Sequence, residues 1–163
     1  MAQDLPVATL GRTGLKVARL GYGAYEIRDA PRGRPLMDGE AAQILNAVLD
    51  AGINYLDTSI DYGRSEELIG RHISHRRSEF YLASKCGCPV ETSPIHSGSP
   101  GPDGHLFSKE NIVNGIHQSL ARLRTDYLDA VQFHGAPSRA LLEQEEAIQT
   151  LLDLQQQGKI RFL

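Results

Sequence analysis

The chain contains no tryptophan and only two cysteines among its 163 residues. The cysteines, Cys86 and Cys88, are separated by one glycine, which is not the Cys-x-x-Cys spacing of a redox site, and no second pair completes a zinc motif. We therefore expect two free thiols in a reducing compartment. Long apolar runs are also missing, because none approaches the roughly 20 residues that a membrane-spanning helix needs.

An excess of charge of either sign is missing as well. Lys and Arg together number 17 against 20 Asp and Glu, for a formal net charge of −3, which argues against a nucleic acid or an anionic membrane as partner. The first residues lack the basic and apolar regions of a signal peptide. We therefore expect a cytoplasmic protein whose residues 1–163 form one domain, a length that is sufficient to bury a hydrophobic core.

Short apolar runs alternate with helical stripes along the chain. Residues 7–10 and 15–17 flank a glycine turn and predict a β-hairpin. The runs at 19–24, 53–56, 80–84 and 127–133 predict strands, each followed by a helical pattern, the last of them over about 141–157, and 159–163 resembles the opening of a fifth strand. This βα alternation predicts an α/β fold in which helices cover a parallel sheet. The Gly-, Pro- and Ser-rich loop at 87–107 is long enough to suggest a functional role.

Four polar side chains follow neighbouring predicted strands. Asp57, Lys85 and His134 each come directly after a strand, and Tyr62 lies in the loop after Asp57. Alone, each has an ordinary explanation: a turn cap, a packed loop aromatic, a solvated lysine or a structural histidine. The carboxyl ends of parallel strands meet at one edge of a sheet, so we expect these four to share one site.

Such a set suits proton transfer to a carbonyl oxygen. A phenol has a pKa near 10, too high for efficient transfer at neutral pH, and a nearby ammonium favours the phenolate. A sheltered ammonium needs a partner, which a carboxylate can supply. A neutral imidazole can hold the substrate carbonyl with a hydrogen bond. The residues therefore predict general acid catalysis coupled to hydride delivery from another group.

Five segments resemble those of the aldo-keto reductase superfamily, in the same order. They are 10–17 (LGRTGLKV), 57–66 (DTSIDYGRSE), 83–87 (ASKCG), 119–129 (SLARLRTDYLD) and 131–134 (VQFH). The resemblance runs from about residue 8 to residue 163. It implies a (β/α) barrel of the TIM type, with the hairpin at its bottom, and an oxidoreductase that reduces aldehydes and ketones or oxidises sugars and alcohols.

The same resemblance implies roles for individual residues. Tyr62 would be the proton donor, Lys85 and Asp57 would tune it, and His134 would orient the carbonyl. The cofactor would lie along Gly23, Ala24 and Tyr25, with Asp57 touching the nicotinamide ribose. Tyr25 and the 87–107 loop would help to enclose a small carbonyl or sugar substrate. The resemblance favours NADP(H) over NAD(H) as cofactor.

The length limits these expectations. A (β/α)₈ barrel takes about 250 residues, and this sequence holds about the first four βα units. In the family the later strands bind most of the cofactor, so we expect the isolated chain to be weak or inactive. We also expect an apolar, uncovered inner face that favours self-association. The end of the sequence inside a strand pattern favours a fragment over a short protein that pairs with another chain, or an inactive product.

Other functions remain open. Lys85 near Asp57 could form the Schiff base of an aldolase, and the scaffold could serve a non-catalytic binding or assembly subunit. We expect no metal site. His72 and His75, and likewise His96 and His105, have no cysteine or carboxylate at matching spacing.

Overall fold

A computed structural model describes residues 5–30, 33–90 and 104–163. These residues form a two-stranded antiparallel hairpin and a five-stranded parallel sheet whose strands follow one another in chain order. The α/β class, the hairpin and the parallel sheet are as predicted. Most of the loop expected at 87–107 lies outside the described residues. Within the described ranges, no helix is long and apolar enough to cross a membrane.

The hairpin consists of β1 (Val7–Thr9) and β2 (Lys16–Ala18). The parallel sheet consists of β3 (Tyr22–Gly23), β4 (Tyr55–Asp57), β5 (Tyr81–Cys86), β6 (Leu128–Phe133) and β7 (Ile160–Phe162). The helices are α1 (Asp38–Asp50), α2 (Ser65–Ile73), α3 (Lys109–Leu123), α4 (Arg139–Gln144) and α5 (Ala147–Gln156), with 3-10 turns at Ala24–Ile27 and Ser74–Glu79.

One face of the sheet forms the core with the helices. Side chains of this face and of the helices are buried together in one hydrophobic cluster, which includes Leu56, Leu82, Cys86 and Val131 from the sheet and Leu45, Ile69, Ile112, Ile116 and Leu151 from the helices. Burial of such side chains contributes about 1.5–3 kcal/mol each, so this layer holds the strands in place.

The other face, which we call the inner face, is partly exposed. Asp57 pairs in register with Ala83 and Ala83 with Ala130, so their side chains point to this face, as do those two residues away in each strand. Tyr55 and Lys85 are half-buried there and Gln132 is exposed. The inner face therefore carries polar groups beside apolar ones such as Ala130 and Phe162, and self-association through it stays a prediction.

The hairpin is attached at the amino-terminal edge of the sheet. Asn54, directly before β4, accepts a hydrogen bond from the Ala18 amide at 2.7 Å and donates one to the Lys16 carbonyl at 2.9 Å. A cleft of about 600 Å³ lies between the hairpin turn and the inner face. The hairpin therefore lies at the end of the sheet opposite to the ends of β4 and β5 that carry Asp57 and Lys85.

The helix predicted over about 141–157 is two helices. Glu146 adopts a left-handed conformation with φ of 51° between α4 and α5. Ala147 is fully buried. In a continuous helix, Glu143 and Gln144 would lie one turn before Ala147 and therefore on the same buried face. The break keeps these polar side chains out of the core.

Helices α2 and α3 approach closely at Gly70. A Cβ atom there would clash with the backbone carbonyl of Arg122, and neither backbone can yield without shifting a helix. Gly70 is buried in the middle of α2, so its lack of a side chain sets the distance between the two helices.

We predict that Gly70→Ala lowers the free energy of unfolding by about 1–3 kcal/mol, because it overpacks this helix contact. Gly39→Ala is the matched control. Gly39 lies in the first turn of α1 with no atom within 4 Å of a Cβ position, so alanine should leave stability unchanged or raise it by up to about 1 kcal/mol. Urea unfolding followed by circular dichroism measures both. Equal effects of the two substitutions would contradict the packing argument.

Candidate active site

The strands β4 and β5 bring Asp57 and Lys85 together. The sequence predicted that both residues directly follow their strands. In the structure they belong to the strands, because β4 ends on Asp57 and β5 continues to Cys86. Lys85 Nζ donates to Asp57 Oδ2 at 2.6 Å and to the Thr58 carbonyl at 2.8 Å. The lysine side chain is only 11% exposed, so its charge is sheltered and paired.

The second oxygen of Asp57 has no hydrogen-bond partner within the described part of the chain. Asp57 Oδ1 is buried and accepts no hydrogen bond from the described residues. A buried carboxylate oxygen without a donor is costly. Its position on the inner face suits an external donor such as a ligand hydroxyl group.

Tyr62 lies over the lysine, in the loop that joins β4 to α2. Lys85 Nζ is 4.8 Å from the centroid of the Tyr62 ring. The ring also makes edge contacts with Tyr25, at 5.0 Å between centroids, and with His134, at 6.0 Å. The four predicted residues are therefore adjacent, as expected from the strand order.

Gly63 holds this loop in place. Its φ is +48°, and a Cβ atom there would clash with the carbonyl oxygen of Arg28. The Arg64 amide donates to that same carbonyl at 2.9 Å, and the Thr58 amide donates to Ala83 at 2.9 Å. The loop is thus anchored on both sides of Tyr62.

His134 follows β6, and its amide donates to the Cys86 carbonyl at 2.9 Å. Its Nδ1 atom is 3.1 Å from Ser59 Oγ, 3.1 Å from Cys88 Sγ and 3.4 Å from Asp61 Oδ1. Burial lowers the pKa of His134, and the charge of Asp61 only partly opposes this. The imidazole is therefore neutral at neutral pH and is held through one ring nitrogen.

The surroundings of His134 were not predicted. Ser59 and Asp61 lie in the segment that carries Tyr62, but nothing in their spacing indicates contact with a residue 75 positions away. Cys88 was expected only to be a free thiol. Both cysteines are free and buried, and burial raises the pKa of Cys88 to about 11. The thiol is therefore protonated and can donate to the imidazole.

Asn111 in α3 connects the two described parts of the long loop. Its side-chain nitrogen donates to the carbonyls of Cys88, at 3.0 Å, and Leu106, at 2.8 Å, and its oxygen accepts from the Val90 amide at 3.2 Å. The Leu106 amide also donates to Gly87 at 2.7 Å. Residues 87–90 and 104–106 are therefore held side by side next to His134.

The residues expected along a cofactor differ in accessibility. Gly23 ends β3 next to Asp57 in register and is exposed. Tyr25 is 49% exposed. Ala24 is fully buried, and its carbonyl accepts from Ser65 Oγ at 2.9 Å. Gly23 and Tyr25 are therefore available for contact, whereas Ala24 holds the turn between them.

These features define a class of protein. Five parallel strands in chain order, with helices on one face, form part of a TIM-type (β/α) barrel. A phenol, a paired ammonium, a carboxylate and a neutral imidazole meet at the carboxyl edge of its strands. This is a barrel scaffold with a site suited to acid–base chemistry.

Comparison with known proteins agrees with this architecture. The model of the Aldo/keto reductase family matches residues 19–163. L-Galactose dehydrogenase of Arabidopsis thaliana is 33% identical over 168 residues, covering 98% of this chain and 47% of that protein. A probable voltage-gated potassium channel subunit beta of Oryza sativa subsp. japonica is 37% identical over 130 residues, covering 77% and 36%. The holo form of an aldo-keto reductase from Bacillus halodurans superposes with a TM-score of 0.79 at 30% identity, covering 98% and 49%.

The chain belongs to the aldo/keto reductase family. It spans about half the length of the curated relatives it matches. The resemblance inferred from the five sequence segments is therefore confirmed, as is the barrel type of fold.

The buried carboxylate of Glu66 contacts the strand residue next to Lys85. Ser84, the residue before Lys85, donates from Oγ to Glu66 Oε1 at 2.8 Å, and Glu66 is fully buried. Burial raises the pKa of Glu66, while the hydrogen bond from Ser84 and the charge of Arg122 oppose the rise. The unfolded state therefore releases this proton at a lower pH than the folded state does.

We predict that Glu66→Gln becomes progressively more stable relative to the wild type as the pH rises above about 4.3, the ordinary value for glutamate. Below that pH, both states of the wild type keep the proton and no penalty exists. Above it, the unfolded chain ionises first, so wild-type stability is lost until the folded pKa is passed. Urea unfolding between about pH 4 and pH 8 measures the difference.

The control is Glu67→Gln on the same helical turn, where the carboxylate is 50% exposed. We expect its stability to follow the wild type within about 0.5 kcal/mol across the range. The prediction would be contradicted by a difference in the free energy of unfolding between Glu66→Gln and the wild type that stays constant at every pH. Such a result would show that Glu66 titrates in the same way in the folded and unfolded states.

Proposed function

We propose that this chain carries the acid–base site of an NAD(P)H-dependent oxidoreductase that reduces aldehydes and ketones, or oxidises sugars and alcohols in reverse. The observation that carries the proposal is the position of Lys85, fixed by Asp57 and the Thr58 carbonyl beneath the ring of Tyr62. The name of the plant relative L-galactose dehydrogenase supports a sugar or another small carbonyl compound as substrate.

In the proposed mechanism Tyr62 donates its phenolic proton to the carbonyl oxygen. The Lys85 ammonium stabilises the negative charge that develops on the phenol oxygen, and Asp57 keeps that ammonium in place. When bound, the nicotinamide supplies the hydride that reduces the carbonyl carbon. In the reverse direction Tyr62 accepts the alcohol proton, so the same groups serve oxidation.

His134 would orient the substrate. The protonated Cys88 thiol, 3.1 Å from Nδ1, can donate to that nitrogen, which leaves the ring proton on Nε2. Nε2–H is then the donor for the substrate oxygen. The neutral form favoured by burial binds a carbonyl without adding a positive charge beside Lys85.

The residues present fit a nicotinamide cofactor. The buried Asp57 Oδ1 atom, which accepts no hydrogen bond from the described residues, suits a ribose hydroxyl group as donor. Gly23 lies beside Asp57 in register, and the absence of a side chain there allows close approach of a flat ligand. Tyr25, exposed and in edge contact with Tyr62, can form one wall of the pocket. We propose NADP(H) as the preferred form.

We further propose that the 163-residue chain is weak or inactive without the remainder of a barrel. Gly23, Tyr25 and Asp57, the groups proposed to hold the cofactor, would hold its nicotinamide half. The relatives are about twice as long as this chain, and the phosphates and adenine would be bound in that additional length.

We predict that Tyr62→Phe lowers kcat for carbonyl reduction by about 10²–10⁴-fold, because it removes the proton donor and keeps the ring. The assay uses a protein that joins this chain to the second half of the Bacillus halodurans relative, with NADPH oxidation as readout. Tyr127→Phe, before β6 at the opposite edge of the sheet, is the matched control and should leave kcat within about twofold. Near-normal turnover of Tyr62→Phe would exclude Tyr62 as the acid.

We predict that the 163-residue chain alone binds NADPH with a Kd weaker than about 100 μM. Nicotinamide fluorescence during titration measures this affinity, with the joined protein as the positive control. Binding in the low micromolar range would show that the first half of the barrel is sufficient for the cofactor.

A second candidate function is a non-catalytic assembly subunit. The similarity to a protein named as a potassium channel subunit beta and the partly exposed inner face favour it. Self-association through that face is its simplest form. A clean monomer by light scattering at high concentration would argue against it, as would turnover by the joined protein.

The aldolase alternative is disfavoured. A Schiff-base lysine must attack as an uncharged amine, whereas the 2.6 Å pair with Asp57 and the hydrogen bond to Thr58 stabilise the ammonium. Borohydride trapping of a carbonyl substrate on Lys85 would reverse this conclusion.

A further inference from the structure

A second cluster of chemically active side chains lies beside the proposed active site. Asp61, Cys88, His105 and His134 each offer one ligand atom, and these atoms all lie within 4.8 Å of one another. Cys88 is buried and the other three are partly buried. The rings of His105 and His134 are 4.7 Å apart between centroids. The cluster joins three separate segments of the chain.

The ligand types match one class of metal ion. A thiolate, two imidazoles and a carboxylate are the ligands that Zn²⁺ takes in four-coordinate protein sites. Cobalt(II) and nickel(II) accept similar sets, whereas magnesium and calcium prefer oxygen alone. A single carboxylate among nitrogen and sulfur ligands therefore favours a borderline divalent cation.

The distances also suit a single ion. With zinc bond lengths of about 2.0–2.3 Å, neighbouring ligand atoms in a tetrahedral site lie roughly 3.3–3.6 Å apart. His134 Nδ1 is 3.4 Å from Asp61 Oδ1 and 3.1 Å from Cys88 Sγ. A small expansion on the sulfur side would accommodate an ion between these three atoms, and His105 would complete the set.

Hydrogen bonds from residues outside the cluster hold the ligands in place. Asn111 binds the carbonyls of Cys88 and Leu106, and so positions Cys88 and His105 from one side chain. His134 is fixed at the end of β6 through the Cys86 carbonyl. Ser59 Oγ donates to Asp61 Oδ1 at 2.7 Å and orients that carboxylate, as outer hydrogen bonds do in metal sites.

We propose that Asp61, Cys88, His105 and His134 form a binding site for Zn²⁺ or a similar borderline divalent cation. Binding exchanges the thiol proton of Cys88 for the metal and releases that proton to solvent, with no redox change. The metal-bound form is therefore distinct from the form in the proposed mechanism, in which the protonated Cys88 thiol donates to His134. This proposal departs from the expectation of no metal site, because a cysteine and a carboxylate approach His105 through the fold and not through sequence spacing.

Cobalt(II) titration of the purified, chelator-treated 163-residue chain tests the proposal without any measurement of turnover. We expect one cobalt ion per chain, a thiolate-to-cobalt charge-transfer band in the near ultraviolet and the intense visible bands of four-coordinate cobalt, all removed by Zn²⁺. Cys88→Ser should abolish the charge-transfer band. His105→Ala should weaken cobalt binding by more than about tenfold, the lower end of what loss of an outer hydrogen bond costs.

Two controls separate this site from other thiols and histidines. Cys86→Ala removes the chain's other thiol and should retain the band. His117→Ala removes an exposed histidine of α3 and should bind cobalt like the wild type. Circular dichroism confirms that each variant is folded. A band that survives in Cys88→Ser, unchanged affinity in His105→Ala, or a Kd for cobalt weaker than about 100 μM would overturn the proposal.

The outcome is separable from that of the proposed function. His134 belongs to both sets of residues, but cobalt binding needs neither Tyr62 nor Lys85. If Tyr62→Phe kept full turnover while the cobalt spectrum appeared as expected, the assignment of the acid would fail and the metal site would stand.

Discussion

The ion pair between Lys85 and Asp57 is the interaction on which the site depends. Both residues lie within strands of the same sheet, so the backbone ladder sets their separation and no loop has to adjust it. The lysine is sheltered, and without Asp57 its charge would be costly to keep there. The register of β4 against β5 thus positions the ammonium, which lies 4.8 Å from the centroid of the Tyr62 ring.

The two faces of the sheet carry different kinds of side chain. The helix-covered face holds most of the buried apolar residues that stabilise the strands, whereas the inner face carries Tyr55, Lys85 and Gln132 beside apolar residues such as Phe162. Polar groups can accumulate on the inner face because the core does not require it to be apolar. The hairpin lies at the amino-terminal ends of the strands, whereas the four polar residues of the site lie at the carboxyl ends. The hairpin therefore does not occupy the space next to these residues.

Much of this could be predicted from sequence where a local pattern decided the outcome. Apolar runs and helical stripes gave the βα order, and strand-end positions were sufficient to bring Asp57, Lys85 and His134 together. Prediction failed where the deciding contact was distant in sequence. The break at Glu146 follows from burial of Ala147 against other elements, and the contacts of His134 with Ser59, Asp61 and Cys88 need the loops after three strands to converge. Spacing alone carries no signal for such contacts.

The hydrogen bonds of Asn111 have a consequence for Cys88 and His134. One buried side chain of α3 binds Cys88, Val90 and Leu106, so the two described parts of the long loop are held together by a helix. The position of Cys88 beside His134 therefore depends on α3, and a disturbance of that helix would reach the His134 imidazole through Cys88.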